Sequence, residues 1–204
     1  MFDTQMVIGV GLILIGVVGF ARARRKHSNK TDGGWRINWS TGFDRVLKVV
    51  GRGWTIVFPV GPQAHLHYVQ WYLPPTLRPG MVMTARIKVV GGEFIPIEYP
   101  DKPALVTLMI QRKGDNGSAE GVYEAYRQFS NATIQLVEGE HVLSIVLTHE
   151  NFGGVYGKRS PAAFADVLSN VESIGVLFGS AGGRGHGVYS TGEASVSLLS
   201  LDVS

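Results

Sequence analysis

Two histidines, His65 and His67, lie two residues apart in a segment that alternates apolar and polar residues. Successive side chains of a strand point to opposite faces, so this spacing places both imidazoles on one face, which Val69 and Trp71 are expected to continue. Imidazole pairs of this kind occur in metal sites, but such sites need further ligands. Because the other histidines are scattered along the chain, the sequence predicts no metal site and no cofactor.

Aromatic residues are a second candidate for chemistry, since the chain has four tryptophans and seven tyrosines. The flat faces of aromatic rings stack on the apolar faces of pyranose rings. Most of these residues alternate with Ile and Val, a pattern that is also typical of core packing. The candidate ligand-binding residues are Trp71, Tyr68, His65 and His67, although the alternation favours core packing over ligand binding for the aromatic residues.

Two loops carry further polar groups. Residues 179–187 are rich in glycine and could surround an anion, but they lack the Gly-Lys-Ser/Thr ending of a phosphate-binding loop. Glu93, Glu98 and Asp101 lie in a proline-containing turn, where nothing fixes the separation that paired catalytic carboxylates need. No nucleophile, base and orienting group can be assembled, so the sequence predicts a protein that is not an enzyme and has no catalytic residues.

Short alternating segments must position these residues. Trp35 and Ile37 share one side of the first segment, and similar segments follow between Gly, Pro, Asn and Asp residues. This pattern is typical of an antiparallel sandwich or barrel. Residues 138–140, Glu-Gly-Glu, are predicted to form a hairpin loop. One helix is predicted over 161–168, because Ser160 can cap it and proline fits its first position.

The C-terminal third resembles a known family of sandwiches. The run from Phe164 to Gly179 contains Ile-Gly-Val-Leu-Phe-Gly, and it is followed by residues 185–189 and a closing apolar segment over 194–203. These segments resemble the last strands of a galactose-binding-like jelly roll, a fold that includes many carbohydrate-binding modules. The resemblance implies a mainly β chain with an antiparallel jelly-roll sandwich and one short helix. It implies less about function, because this fold hosts sugar binding, assembly and structural roles.

Modules of this kind often hold a structural calcium ion through acidic residues of the first and last strands. Asp202 could be a remnant of such a site, but the first predicted strand offers no acidic partner before Asp44. The sequence therefore does not predict calcium.

The N-terminal segment predicts a membrane anchor. Residues 4–21 are uncharged and would span roughly 27 Å as a helix, close to the thickness of a hydrocarbon core. The predicted division is an anchor with its basic cluster over 1–27, a linker over 28–34 and a β-sandwich domain over 35–204. The predicted helix-packing residues are Gly9, Gly16 and Gly19. The predicted membrane-surface residues are Arg22, Arg24, Arg25 and Lys26.

Charge placement orients the predicted anchor. Basic residues follow the apolar segment and one aspartate precedes it, which places the N-terminus outside and the C-terminal domain in the cytoplasm, across the cell inner membrane. Residues 1–30 hold five of the nineteen Lys and Arg, so the remainder is nearly neutral despite a pI of about 9.2. This argues against nucleic acid as a partner. The absence of cysteine excludes disulfides and thiolate metal sites.

Three functions fit these features. The leading hypothesis is a noncatalytic, single-pass accessory or scaffold subunit of a membrane protein complex, such as a respiratory or photosynthetic one, whose partners are membrane protein subunits and the lipid bilayer. The first alternative is a membrane-tethered carbohydrate-binding module. The second is a structural protein of a membrane-containing virus particle.

The orientation of the anchor makes a testable prediction. Protease added to intact cells should spare residues 35–204, whereas protease added to inverted membrane vesicles should digest or release them, because the basic cluster retains its side of the helix in the cytoplasm. Immunoblotting of the C-terminal domain measures both. Digestion from outside the cell would contradict the orientation and place the domain on the side where polysaccharides lie.

Overall fold

The computed structural model describes residues 27–30, 32–39, 48–50, 53–72, 74–115, 127–154 and 160–204. Within these ranges, no helix has the length and apolar character needed to cross a membrane. Residues 1–26, which include Gly9, Gly16, Gly19, Arg22, Arg24, Arg25 and Lys26, lie outside the described ranges. The anchor therefore stays a prediction.

The described residues form short strands and one α-helix. The strands are β1 (His27–Lys30), β2 (Trp35–Trp39), β3 (Lys48–Val50), β4 (Gly53–Val57), β5 (Leu66–Trp71), β6 (Val82–Val90), β7 (Phe94–Pro96), β8 (Leu105–Arg112), β9 (Arg127–Gln135), β10 (Gly139–Val146), β11 (Phe152–Gly154), β12 (Val171–Gly179), β13 (Val188–Ser190) and β14 (Ser195–Val203). The helix is α1 (Pro161–Ser169), and a 3-10 turn covers Asp32–Gly34.

The described strands form two antiparallel sheets. The large sheet has the order β1-β2-β5-β12-β8-β9-β11, with β13 pairing with β5 and β7. The small sheet has the order β10-β6-β14-β4-β3. Eight of these strands form a jelly roll, with β5-β12-β8-β9 in one layer and β4-β14-β6-β10 in the other. β8 and β9, which follow each other in this set of eight, pair within one layer. Every other connection between successive strands of the set crosses from one layer to the other.

The structure confirms the mainly β sandwich with a short helix. The predicted cap is also present, because Ser160 Oγ accepts a hydrogen bond from the Ala163 N–H at 3.1 Å. The predicted hairpin loop at 138–140 is wrong, since β9 and β10 lie in different sheets. Alternation shows that each strand buries one face, but it does not show which sheet the strand joins. The first strand of the large sheet, β1, pairs with β2 and covers the last residue of the predicted anchor and the first three residues of the predicted linker.

The core fills the space between the two sheets with aromatic and branched side chains. Trp35 of the large sheet meets Trp54 of the small sheet edge-on, with ring centroids 6.3 Å apart. Phe58 contacts Phe178 in the same way, with centroids 5.3 Å apart. All four side chains are buried. Because each strand gives alternate residues to this core, the remaining residues point away from it and form two outer faces.

Gly175 in β12 makes a testable prediction about packing. A Cβ atom at this position would lie 2.2 Å from the Val69 carbonyl oxygen of β5, an atom that cannot move without disturbing the sheet. We expect Gly175→Ala to lower the free energy of unfolding by about 3 kcal/mol. Gly192→Ala is the matched control, because its Cβ would meet nothing within 4 Å. Equal urea-unfolding midpoints for the two variants would contradict this packing.

Candidate functional site

The outer face of the large sheet holds polar and aromatic side chains in register across adjacent strands. On β5, Gln70 lies opposite Arg36 of β2 on one side and Gly175 of β12 on the other. On β8, Gln111 lies opposite Arg127 of β9. We call this surface the polar face; its residues are Arg36, Asn38, Tyr68, Gln70, Tyr72, Gln111, Asp115, Arg127 and Ser173.

The buried part of the polar face is a hydrogen-bond network that joins three strands. Gln70 Nε2 donates to Gln111 Oε1 and, at 2.9 Å, to Ser173 Oγ. Ser173 Oγ donates to Gln111 Oε1 at 3.2 Å, and Gln111 Nε2 donates to the Asp115 carbonyl oxygen at 3.0 Å. The three side chains are buried. Networks of this kind fix the orientation of their members. Gln70, Gln111 and Ser173, which we call the floor of the polar face, are therefore rigid.

A buried ion pair lies beside this network. Arg127 Nε donates to Asp115 Oδ2 at 2.9 Å, and the two side chains are 12% and 5% exposed. The Arg127 guanidinium carbon lies 5.4 Å from the ring centroid of Tyr68. Burial raises the pKa of Tyr68, while Arg127 acts in the opposite direction. The Tyr68 hydroxyl therefore keeps its proton and remains a hydrogen-bond donor at neutral pH.

A second arginine and tyrosine form the more exposed part of the polar face. The Arg36 guanidinium carbon lies 3.9 Å from the ring centroid of Tyr72, and both side chains are half-buried. Burial raises the pKa of Tyr72, and the nearby Glu172 carboxylate raises it further, whereas Arg36 lowers it. Stacking on an aromatic ring orients the planar guanidinium and its donors. The pair therefore presents oriented donors on the outer side of the large sheet.

The glycine-rich loop over 180–187 closes one end of the polar face. The Gly185 carbonyl accepts a hydrogen bond from His67 Nδ1 at 2.8 Å, while Arg184 Nη1 donates to the Ser130 carbonyl of β9 at 3.0 Å. Gly185 has a φ of +77°, and a Cβ there would lie 2.7 Å from the Tyr68 hydroxyl oxygen. Glycine is thus required where the loop meets the ring. The loop acts here as a wall of the site.

The sequence-predicted ligand-binding residues do not share one face. Asn38 pairs with Tyr68 and the next residue of β2 pairs with Leu66, so His67 is the extra residue of a β-bulge. The expectation that the face of His65 and His67 continues through Val69 is therefore wrong, because the bulge reverses the alternation.

Each predicted ligand-binding side chain has a definite place. His67 stacks against Tyr68 on the outer side, with ring centroids 6.0 Å apart, and the His65 ring lies 4.6 Å from that of His67. Trp71 packs against the core, stacked on Trp35 with centroids 6.0 Å apart. No group of three potential metal ligands occurs among the described residues. Ligand binding by Trp71, Tyr68, His65 and His67 stays a prediction.

Most of the polar face could not be recognised from the sequence. Gln70 and Gln111 are 41 residues apart in sequence, and Arg36 and Arg127 are further apart still. Their strands become neighbours only through the crossing connections of the jelly roll. The available signal was a set of polar residues at the non-core positions of apolar strands, which shows the side that each residue faces but not its neighbours.

Solved structures of similar fold include two carbohydrate-binding modules. One is a family 11 module from Clostridium thermocellum in complex with a β-1,3-1,4-mixed-linked tetrasaccharide, with 16% identity and a TM-score of 0.48 over 87% of this chain and 94% of the module. The other is the family 11 module of a cellulosomal cellulase from Clostridium thermocellum, with 15% identity and a TM-score of 0.47 over the same shares of each chain. The order of the described strands in the two sheets is that of the jelly roll predicted from the C-terminal segments.

No protein-family model and no curated protein sequence matches the chain.

The buried ion pair makes a testable prediction. Asp115→Asn leaves the Arg127 guanidinium buried without its counter-charge, so we expect a loss of about 3 kcal/mol in the free energy of unfolding. Asp101→Asn is the control, because its ion pair with Lys102 is exposed and should contribute little. Urea unfolding of both variants measures the difference. A loss below that of the control would contradict a structural role for the Asp115–Arg127 pair.

Proposed function

We propose that this chain is a noncatalytic glycan-binding protein that holds a neutral oligosaccharide on the polar face. The observation that carries the proposal is the set of planar groups on one sheet face: the stacked Arg36 and Tyr72, on the same face as the hydrogen-bonded amides of Gln70 and Gln111. Planar donors and ring faces match the two kinds of surface that a sugar presents, its hydroxyl groups and its apolar ring faces.

Rigidity of the floor supports the same proposal. The amides of Gln70 and Gln111 are already hydrogen-bonded, so a ligand does not need to reorder them. A site that is ordered before binding loses less conformational entropy when the ligand arrives. This matters for sugars, whose hydroxyl groups exchange water contacts for protein contacts of similar strength.

The charge of the polar face favours a neutral ligand. Arg127 is paired with Asp115, and Arg36 shares the surroundings of Tyr72 with the Glu172 carboxylate. The nearby charges therefore balance, and an anionic ligand would gain little net attraction from them.

Membrane anchoring and assembly with membrane protein subunits remain predictions beside this one. The residues that motivate them lie outside the described ranges. A glycan-binding role would also reverse the predicted orientation of the anchor, because polysaccharides lie outside the cytoplasm. The protease experiment above therefore bears on both hypotheses.

Binding to an array of neutral and acidic oligosaccharides, followed by calorimetry on the sugars retained, tests the proposal. We expect neutral oligosaccharides to bind the full chain in mild detergent. Arg36→Ala and Tyr72→Ala should each lower the association constant more than tenfold, or about 1.4 kcal/mol. Both side chains lie on the outer side of the sheet, so the melting temperature should change little.

Thr84→Ala provides the control, since Thr84 hydrogen-bonds Ser144 at 2.8 Å on the outer face of the small sheet. It should leave sugar affinity at the level of the unaltered chain. Failure of every oligosaccharide to bind, or equal affinities in all three variants, would contradict the proposal.

A further inference from the structure

β10 forms one edge of the small sheet, and main-chain groups along this edge point to solvent. Val82 of β6 exchanges two main-chain hydrogen bonds with Ser204, at 2.7 and 3.0 Å, so the even-numbered residues of β6 point their N–H and C=O groups towards β14. The odd-numbered residues of β6 point their N–H and C=O groups towards β10, where Met83 lies opposite Ile145. The Leu147 N–H extends this ladder by donating to the Met81 carbonyl at 2.8 Å.

Alternation then leaves three residues of β10 facing the free edge: Glu140, Val142 and Ser144. In the described part of the chain, their main-chain groups have no hydrogen-bond partner. Val142 is 64% exposed, among the highest values for a large apolar residue in the described ranges. Val146 is the next residue of β10 that faces the free edge, and its carbonyl already accepts a hydrogen bond from Asn151 Nδ2 at 3.0 Å. The open edge therefore extends from Glu140 to Ser144.

We propose that β10 pairs with β10 of a second copy of this chain, antiparallel and about a two-fold axis at Val142. An open strand edge is a template for another strand, and a two-fold axis uses the same surface on both copies. In this register, Val142 lies opposite Val142 of the partner, and Glu140 lies opposite Ser144 of the partner. Since each of the three residues offers one donor and one acceptor, about six interchain hydrogen bonds form.

Other registers would either bring like charges together or pair fewer of the free main-chain groups of β10. An axis at Glu140 would place two carboxylates directly opposite each other, which is destabilising. A shift of the axis towards Ser144 would need the Val146 carbonyl, which the Asn151 side chain already occupies. The axis at Val142 avoids both problems, so the edge is complementary to itself and selects a second copy as the partner.

A single-cysteine variant tests the axis directly, because the chain contains no cysteine. A hydrogen-bonded antiparallel pair has Cα atoms about 5.5 Å apart, within the range that a disulfide spans. We expect the full chain with Val142→Cys, purified in mild detergent and oxidised, to form a disulfide-linked dimer at least ten times faster than Val57→Cys. Val57 is the matched control, because it is 49% exposed and lies on β4, an inner strand of the small sheet, where it pairs with Ser195 of β14.

A charge variant provides the second measurement. Val142→Lys would oppose two ammonium groups at the axis, so the dimer fraction measured by native mass spectrometry should fall at least fivefold, while the melting temperature should stay the same. Val57→Lys should leave the dimer fraction unchanged. Three results would overturn the proposal: a monomeric wild-type chain, equal cross-linking rates for the two cysteine variants, or dimers that persist in Val142→Lys. The last result would mean that two copies associate through another part of the chain, such as residues 1–26.

Discussion

The alternation of side chains along the central strands of the large sheet is the constraint on which the rest of the structure depends. Every second residue of β8 and β12, and of β5 after the bulge at His67, enters one apolar core, where the two sheets meet through Trp35, Trp54 and Phe178. Burial of that layer is the main favourable term in folding. Burial of the core layer also determines which residues of each strand face outwards, so Gln70 and Gln111 must lie on the outer side once the core is formed.

Much of the fold follows from local sequence. Alternation and turn residues predict the strands, Ser160 and proline at position 161 predict the start of α1, and the C-terminal segments predict the jelly roll. The assignment of strands to sheets does not follow, which is why the hairpin predicted at 138–140 was wrong. The candidate site was harder still to predict, because a single extra residue at His67 reverses the facing of β5, and the polar face depends on registers between distant segments.

The two proposed surfaces are compatible because they lie on different layers. The polar face belongs to the large sheet, whereas β10 forms an edge of the small sheet. Pairing through β10 would leave both polar faces open, and a dimer would then present two sugar sites in one particle. Weak single-site affinities, which are expected for neutral sugars, would combine on a repetitive polysaccharide if its spacing matches that of the two sites.

The most direct measurement is a crystal structure of the chain with a neutral oligosaccharide that it retains. We expect a sugar residue over the polar face, with a hydroxyl group within hydrogen-bond distance of the Arg36 guanidinium and a ring in contact with Tyr72. Gln70 and Gln111 should keep the hydrogen bonds that they have without ligand, because the floor is already ordered. An oligosaccharide bound only on the small sheet, or one that contacts neither Arg36 nor Tyr72, would contradict the account.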